Sequence, residues 1–309
     1  MLLFFIALHV SVTYLGHVLY PKEGVFRGTP GDERLSEDYS AYYFGKTERN
    51  SVDTVFIGTS HQFCSVDVNI LNQEYGMNSI LLASRSQNLM LSYYAVLEAI
   101  ELQHPKTIVM EACAAVICGE EPTELGKVSF LDYMPNCLKT KWKAVQATRD
   151  PAYLYYYPLT ALHGNWGDVR LHDLKLPQKM ENGERYCYSY TITTPVEAWN
   201  IVPPNTKSDL REASVRWLEK ITELCKGSNI ELILYISPYS ADRDTQMQYN
   251  AIADFAEENN IQFYNLMHEM DAIGLDLDCD YMDFGHLNRS GQKKLTHYLG
   301  RLLLEDKGR

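Results

Sequence analysis

The feature that most restricts this chain is a rhythm of short apolar runs, each followed by residues at helical spacing, that starts near Val52 and continues to the last helix. Asp53-Thr-Val-Phe-Ile-Gly58 is apolar without alternation, as strands buried on both faces are. Similar runs occupy 78–84, 106–112, 230–237 and 261–266. Between them, 89–103 sets Leu89, Tyr93, Val96, Leu97 and Ile100 on a helical stripe that Pro105 ends. Helices are also predicted over 208–226, 242–258 and 290–304, the last with Leu295, Tyr298, Leu299 and Leu302 on one face. Strands alternating with amphipathic helices predict an α/β domain, a three-layer sandwich with a mainly parallel sheet. A ligand crevice is then expected at the carboxyl ends of the strands.

Two regions depart from the rhythm. Residues 2–20 hold no Lys, Arg, Asp or Glu, and a stretch of that length matches the roughly 20 residues that cross a hydrocarbon core. No small-residue cleavage site precedes Pro21, so an uncleaved transmembrane anchor is expected over 1–20, a buried or interfacial helix being the other reading because of His9, Ser11 and His17, with a Gly- and Pro-containing juxtamembrane linker over 21–51. Lys22, Arg27 and Arg34 follow the apolar stretch, and by the positive-inside rule they would hold the main domain, 52–304, in the cytoplasm. The second region, 118–205, carries Tyr153, Tyr155, Tyr156, Tyr157, Tyr186, Tyr188 and Tyr190 and reads as a long insertion between strands three and four. It is either a substrate-shaping cap or extra scaffold.

Charge and cysteine usage narrow the classes further. With 28 Lys+Arg against 40 Asp+Glu the net charge is −12, which argues against a nucleic-acid partner. The 7 cysteines are scattered without a Cys-x-x-Cys pair, so neither a disulfide framework nor a zinc site is expected. Asp276, Asp278 and Asp280 imitate the start of a calcium loop, but Tyr281 and Leu287 stand where its Gly and Glu belong. No metal or cofactor is called for.

Chemistry-bearing residues gather at two remote places. Gly58-Thr59-Ser60-His61 closes the first strand, where a serine hydroxyl lies at the sheet's carboxyl edge beside the free N–H groups of a helix start. Asp283-Phe-Gly-His286 lies just ahead of the last helix, and an Asp three residues before a His can accept its Nδ1–H and leave Nε2 as a base. Each motif alone is common; an α/β topology brings both to one edge. Gln62 breaks the Gly-x-Ser-x-Gly elbow of the α/β-hydrolases.

These blocks resemble the SGNH/GDSL hydrolases, with Thr59 in place of the usual Asp. Phe56-Ile-Gly-Thr-Ser-His, Ser92-Tyr-Tyr, Pro105-Lys-Thr-Ile-Val-Met-Glu111, His163-Gly-Asn-Trp166 and Asp283-Phe-Gly-His-Leu-Asn288 are similar to a membrane-anchored bacterial branch. That branch is distantly similar to the D-alanine-transfer protein of teichoic-acid assembly and to alginate-type O-acetyltransferases. The resemblance implies a flavodoxin-like sheet and a Ser-His-Asp triad of Ser60, His286 and Asp283. It also implies an outward-facing domain at the cell membrane, against the local charge count. Its substrate would be an acylated glycan or teichoic acid, and a membrane-bound acyltransferase would be a partner. The family's oxyanion Gly and Asn have no direct counterpart; the Ser60 N–H with the Gln87 or Asn88 side chain is expected to serve, although Asn88 equally suits a helix N-cap. Glu111 is expected as a buried carboxylate near the site, His61 either in the pocket or at the surface, and His163 with Trp166 either against a sugar ring or in the core. Two other classes remain open: a non-catalytic partner of an envelope acyltransferase, and a cytosol-facing lipid esterase.

Overall fold

Five apolar runs become the strands β1 Thr54–Gly58, β2 Ser79–Ala83, β3 Thr107–Glu111, β4 Glu231–Ile236 and β5 Gln262–Asn265. The computed structural model describes residues 47–131, 134, 138–149 and 189–307, together with 3, 4, 7, 8 and 11. The strands pair in parallel throughout, in the order β2-β1-β3-β4-β5. Every residue of β1, β2 and β3 is buried, which explains their unbroken apolar character: helices cover both faces. The edge strand β5 is only half-buried.

The helices are α1 Ser60–Ser65, α2 Val68–Glu74, α3 Leu89–Gln103, α4 Ala114–Ile117, α5 Glu124–Leu131, α6 Lys139–Ala147, α7 Glu212–Gly227, α8 Arg243–Glu258, α9 Met270–Ile273 and α10 Arg289–Lys307. Right-handed crossovers in this strand order set α1 and α2 on one face of the sheet and α3, α7 and α8 on the other. Helix α10 returns to pack on α1 and α2, and α3 packs on α7. Leu295, Leu299 and Leu303 of α10 are buried at i, i+4 spacing; Tyr298 and Leu302, expected on the same face, flank the core half-buried. Helix α7 starts at Glu212 rather than 208, because 208–211 run as a tether in which Ser208 N donates to Met247 O.

The chain leaves β1 toward β2 on one side and returns as β3 on the other. That reversal opens a crevice at the carboxyl ends of β1 and β3, the switch point of a flavodoxin-like sheet.

The chain divides into two compact units, Leu35–Pro135 with Arg185–Arg309, and Met1–Arg34 with Asn136–Glu184. The sheet belongs wholly to the first. Helix α6 belongs to the second, with Thr140, Lys141, Ala144 and Val145 buried. Most of the expected anchor and linker, and residues 150–188 of the expected insertion with Tyr153, Tyr155, Tyr156, Tyr157, Tyr186, Tyr188, His163 and Trp166, lie outside the described residues. Among the described residues no helix is long and apolar enough to cross a membrane. The free cysteines Cys64, Cys113 and Cys225 are buried, Cys118 is half-buried and Cys279 is exposed.

Candidate active site

The crevice is built first by the turn after β1. A Cβ on Gly58 would stand 2.8 Å from Gln62 Cβ and 3.1 Å from Glu111 Cβ, so only glycine lets the chain turn this close to β3. Thr59 follows in extended conformation and caps α1, its Oγ1 accepting from His61 N at 3.1 Å. Ser60 is thereby the first helical residue, where a backbone N–H has no partner within its own helix.

The second wall is the loop ahead of α10. Tyr281 and Leu287 form an isolated antiparallel bridge, and Met282 N donates to His286 O at 3.0 Å, closing a tight turn around Asp283 and His286. Asn288 fixes the turn to the helix: Nδ2 donates to Cys279 O at 2.7 Å, and Oδ1 accepts from Ser290 N at 2.9 Å and Gly291 N at 3.2 Å. One further side chain joins the two walls. Gln292 of α10 donates through Nε2 to Phe63 O at 2.7 Å and Val66 O at 3.3 Å, at the end of α1, while its Oε1 accepts from Ser189 N at 2.9 Å.

The result is a continuous hydrogen-bonded chain. Ser60 Oγ lies 2.8 Å from His286 Nε2, and His286 Nδ1 lies 3.0 and 3.1 Å from the two oxygens of Asp283. Gly285 N donates to Asp283 Oδ1 at 2.7 Å. Burial pushes the Asp283 carboxyl upward, but the hydrogen bond and charge of His286 and the N–H groups of Gly285 and His286 outweigh it. The net result is a carboxyl below its usual range. An ionised Asp283 accepts Nδ1–H, which leaves the Nε2 lone pair facing the serine hydroxyl.

Around this chain the other expected residues divide. His61 is buried, its ring centroid 4.7 Å from that of His286 and 4.6 Å from that of Tyr239. Burial, then the nearby His286, lower its pKa to about 3, although Asp283 pulls the other way, so it is a neutral imidazole and no second base. Glu111 is buried beneath the turn that carries Ser60, and Gln62 Oε1 accepts from its backbone N–H at 3.2 Å. Burial raises its carboxyl to about 7 against the hydrogen bonds from Cys113 and the Ser237 N–H.

The expected side-chain oxyanion donors have other partners. Gln87 Nε2 donates to Ser92 Oγ at 3.2 Å, while its Oε1 accepts from Ser84 Oγ at 3.0 Å. Asn88 caps α3, its Oδ1 accepting from Leu91 N at 3.1 Å, and its Nδ2 donates to Gly119 O and Glu120 O at 3.1 and 2.8 Å. Both shape the start of α3, and the Ser60 N–H is left as the expected donor. Among the described residues no group of three or more His, Cys, Asp or Glu is placed to hold a metal ion. Sequence reasoning missed Gln292 and Tyr239, whose roles depend on contacts across the fold. Asn288 carried a signal, being a cap residue directly before the final helical pattern.

The fold and site together define a parallel α/β domain with a Ser-His-Asp chain at the carboxyl edge of its sheet. No family model matches the chain, and no curated protein does. Among solved structures it is similar to an esterase, EstA, from Pseudoalteromonas sp., inhibited by monoethylphosphonate, at 12% identity over 83% of this chain and 100% of that one, with a TM-score of 0.42. It is also similar to a GDSL-like lipase from Bacteroides thetaiotaomicron, at 11% identity over 88% and 98% of the two chains and a TM-score of 0.41. Likenesses of this size carry no assignment of activity.

Proposed function

We propose that the chain is a serine-dependent acyl esterase or acyltransferase that works through Ser60, His286 and Asp283. The observation that carries this reading is the 2.8 Å contact between Ser60 Oγ and His286 Nε2, continued through Nδ1 to Asp283 at 3.0 Å. In such an arrangement Ser60 Oγ attacks an ester carbonyl while Nε2 takes its proton. The carbonyl oxygen becomes an oxyanion facing the Ser60 N–H at the helix start. His286 then returns the proton to the departing alkoxide, and the acyl-serine passes its acyl group to water or to another alcohol, whose proton His286 removes. Asp283 keeps the imidazole oriented and offsets its charge while protonated.

For the substrate we propose an O-acyl group, acetyl or D-alanyl, on a bacterial envelope glycan or teichoic acid. The uncharged stretch 2–20 and the motif resemblance support that choice. The test of the chemistry is labelling by a fluorophosphonate, expected on Ser60 and absent in Ser60→Ala; labelling elsewhere, or none on active protein, refutes it. The test of the location is a C-terminal reporter fusion; a domain found inside the cell refutes the envelope substrate.

A second reading, a non-catalytic partner of a membrane acyltransferase, is favoured by the engagement of Gln87 and Asn88 away from the oxyanion position. It predicts that Ser60→Ala leaves the biological activity intact.

A further inference from the structure

His286 has to be held against Ser60 from outside its own loop. Bonds within that loop, Met282 N to His286 O at 3.0 Å and Asn288 N to Asp280 O at 2.9 Å, fix its shape but not its place relative to α1. Part of the hold comes from a strap of chain, 189–196, that runs along the loop. Val196 N donates to Leu277 O at 2.9 Å, Thr194 N to Tyr281 O at 2.8 Å, and Arg289 N to Tyr190 O at 2.7 Å. Asn288 Nδ2 reaches Thr193 Oγ1 at 3.2 Å. By sequence this strap belongs to the expected insertion, not to the loop it holds.

Ser189, at the head of the strap, is buried at 1% exposure. Its Oγ donates to Leu287 O at 2.6 Å, on the residue directly after His286. Its N–H donates to Gln292 Oε1 at 2.9 Å, on α10. The same hydroxyl meets the thiol of Cys64, which lies one helical turn after Ser60 on α1. A serine hydroxyl can donate to a carbonyl and accept from a thiol at once, and alanine can do neither. The loop of the base, the last helix and the helix of the nucleophile therefore converge on one side chain.

That convergence has a chemical meaning only if Ser60 and His286 exchange a proton, so the inference rests on the proposed acyl-transfer reading. The exchange needs the 2.8 Å contact between Ser60 Oγ and His286 Nε2 to be kept. A misplacement of about 1 Å in such a contact lowers the rate about a hundredfold.

We propose that Ser189 is a positioning residue for the acyl transfer, whose buried hydroxyl locks the loop of His286 to the helix of Ser60 and so aligns the base on the nucleophile. It touches no substrate and moves no proton. The strap that carries it makes the end of the insertion a working part of the site, where the sequence left a choice between a cap and scaffold.

The test is the rate at which a fluorophosphonate labels Ser60 in the purified full chain, followed over a range of probe concentrations. Labelling needs Nε2 to take the serine proton, and it does not depend on knowing the natural ester. Ser189→Ala is expected to lower the saturating rate constant by about tenfold to a hundredfold. The probe concentration at half-saturation is expected to stay within about twofold, because no binding contact is lost. Lost stability alone would not produce that split in a chain that is still folded. Ser189→Thr, which keeps the hydroxyl, is expected to recover most of the rate. Cys64→Ala removes the contact with α1, leaves the bond to Leu287, and is expected to lower the rate constant by a smaller factor. It keeps the inference testable if Ser189→Ala fails to fold. An unchanged rate constant in folded Ser189→Ala, or in Cys64→Ala where the first does not fold, overturns the role of Ser189 alone. A wild-type chain that is not labelled on Ser60 removes the acyl-transfer reading, and this inference with it.

Discussion

Replacing Glu111 by Gln should abolish a specific piece of the pH dependence of stability. The carboxyl is buried at the end of β3, and burial raises it from the ordinary 4.5 to about 7 against the hydrogen bonds it receives. Below 4.5 it is protonated in the folded and unfolded chain alike, and it costs nothing. Above 7 it is ionised in both, and the folded state bears the desolvation. The stability tied to the neutral carboxyl is therefore fully present below 4.5 and is lost as pH rises through about 7. At about 1.4 kcal/mol per tenfold change in proton concentration, the difference is about 3 kcal/mol. The Gln carbonyl oxygen can still accept from Ser237 N, which donates to Glu111 Oε1 at 3.3 Å, and from Cys113 N at the same distance. Its amide NH2 lacks an equivalent partner and adds a penalty of about 1–2 kcal/mol that does not vary with pH. Urea unfolding of wild type and Glu111→Gln at intervals from pH 5 to 8.5 separates the two effects. The variant should be the less stable chain at pH 5 and the more stable one at pH 8.5. Stability curves that run parallel across this range would refute the assignment of a neutral, buried carboxyl to Glu111.

Three further outcomes are expected. Asp283→Asn can turn an NH2 toward His286 Nδ1 and favour the wrong tautomer, so turnover of an acetate ester should fall about 10³–10⁴-fold with the circular dichroism spectrum unchanged. Gly58→Ala drives a Cβ to 2.8 Å from Gln62 Cβ and should lower the stability measured by urea unfolding by about 1–3 kcal/mol, with loss of fluorophosphonate labelling at Ser60. Gln292→Leu removes the donor to Phe63 O and Val66 O and the acceptor for Ser189 N, costing about 2–4 kcal/mol by the same measurement; a change below 0.5 kcal/mol would show that the bridge is dispensable.

The sheet was legible because burial on both faces leaves a plain mark on sequence. The runs at 53–58, 78–84 and 106–112 differ by no more than a residue at either end from Thr54–Gly58, Ser79–Ala83 and Thr107–Glu111. Ser60, Asp283 and His286 were legible as a set because parallel strands deliver their carboxyl ends to one edge, whatever the distance along the chain. Side-chain direction was not. Gln87 and Asn88 stand after β2, where an oxyanion donor was sought, but Ser92 and the carbonyls of Gly119 and Glu120 hold their amides. Those partners are unknowable from local pattern. His61 was equally ambiguous as a pocket or surface residue, since its burial depends on Tyr239 closing over it from beyond β4. Helix α5 was absorbed into the expected insertion because Cys118, Gly119 and Pro122 interrupt any helical stripe there, and α4, a single turn just ahead of it, is too short to leave one.

The separation of Ser60 from His286 along the chain also orders events in time. During synthesis all five strands precede the loop that carries His286; Asn288 at the start of α10 pins that loop, and Gln292 of α10 ties the helix to the end of α1. Until that loop is in place Ser60 has no imidazole beside it, so on the proposed reading its activation waits for α10 to dock. On that reading a half-made chain emerges without esterase chemistry.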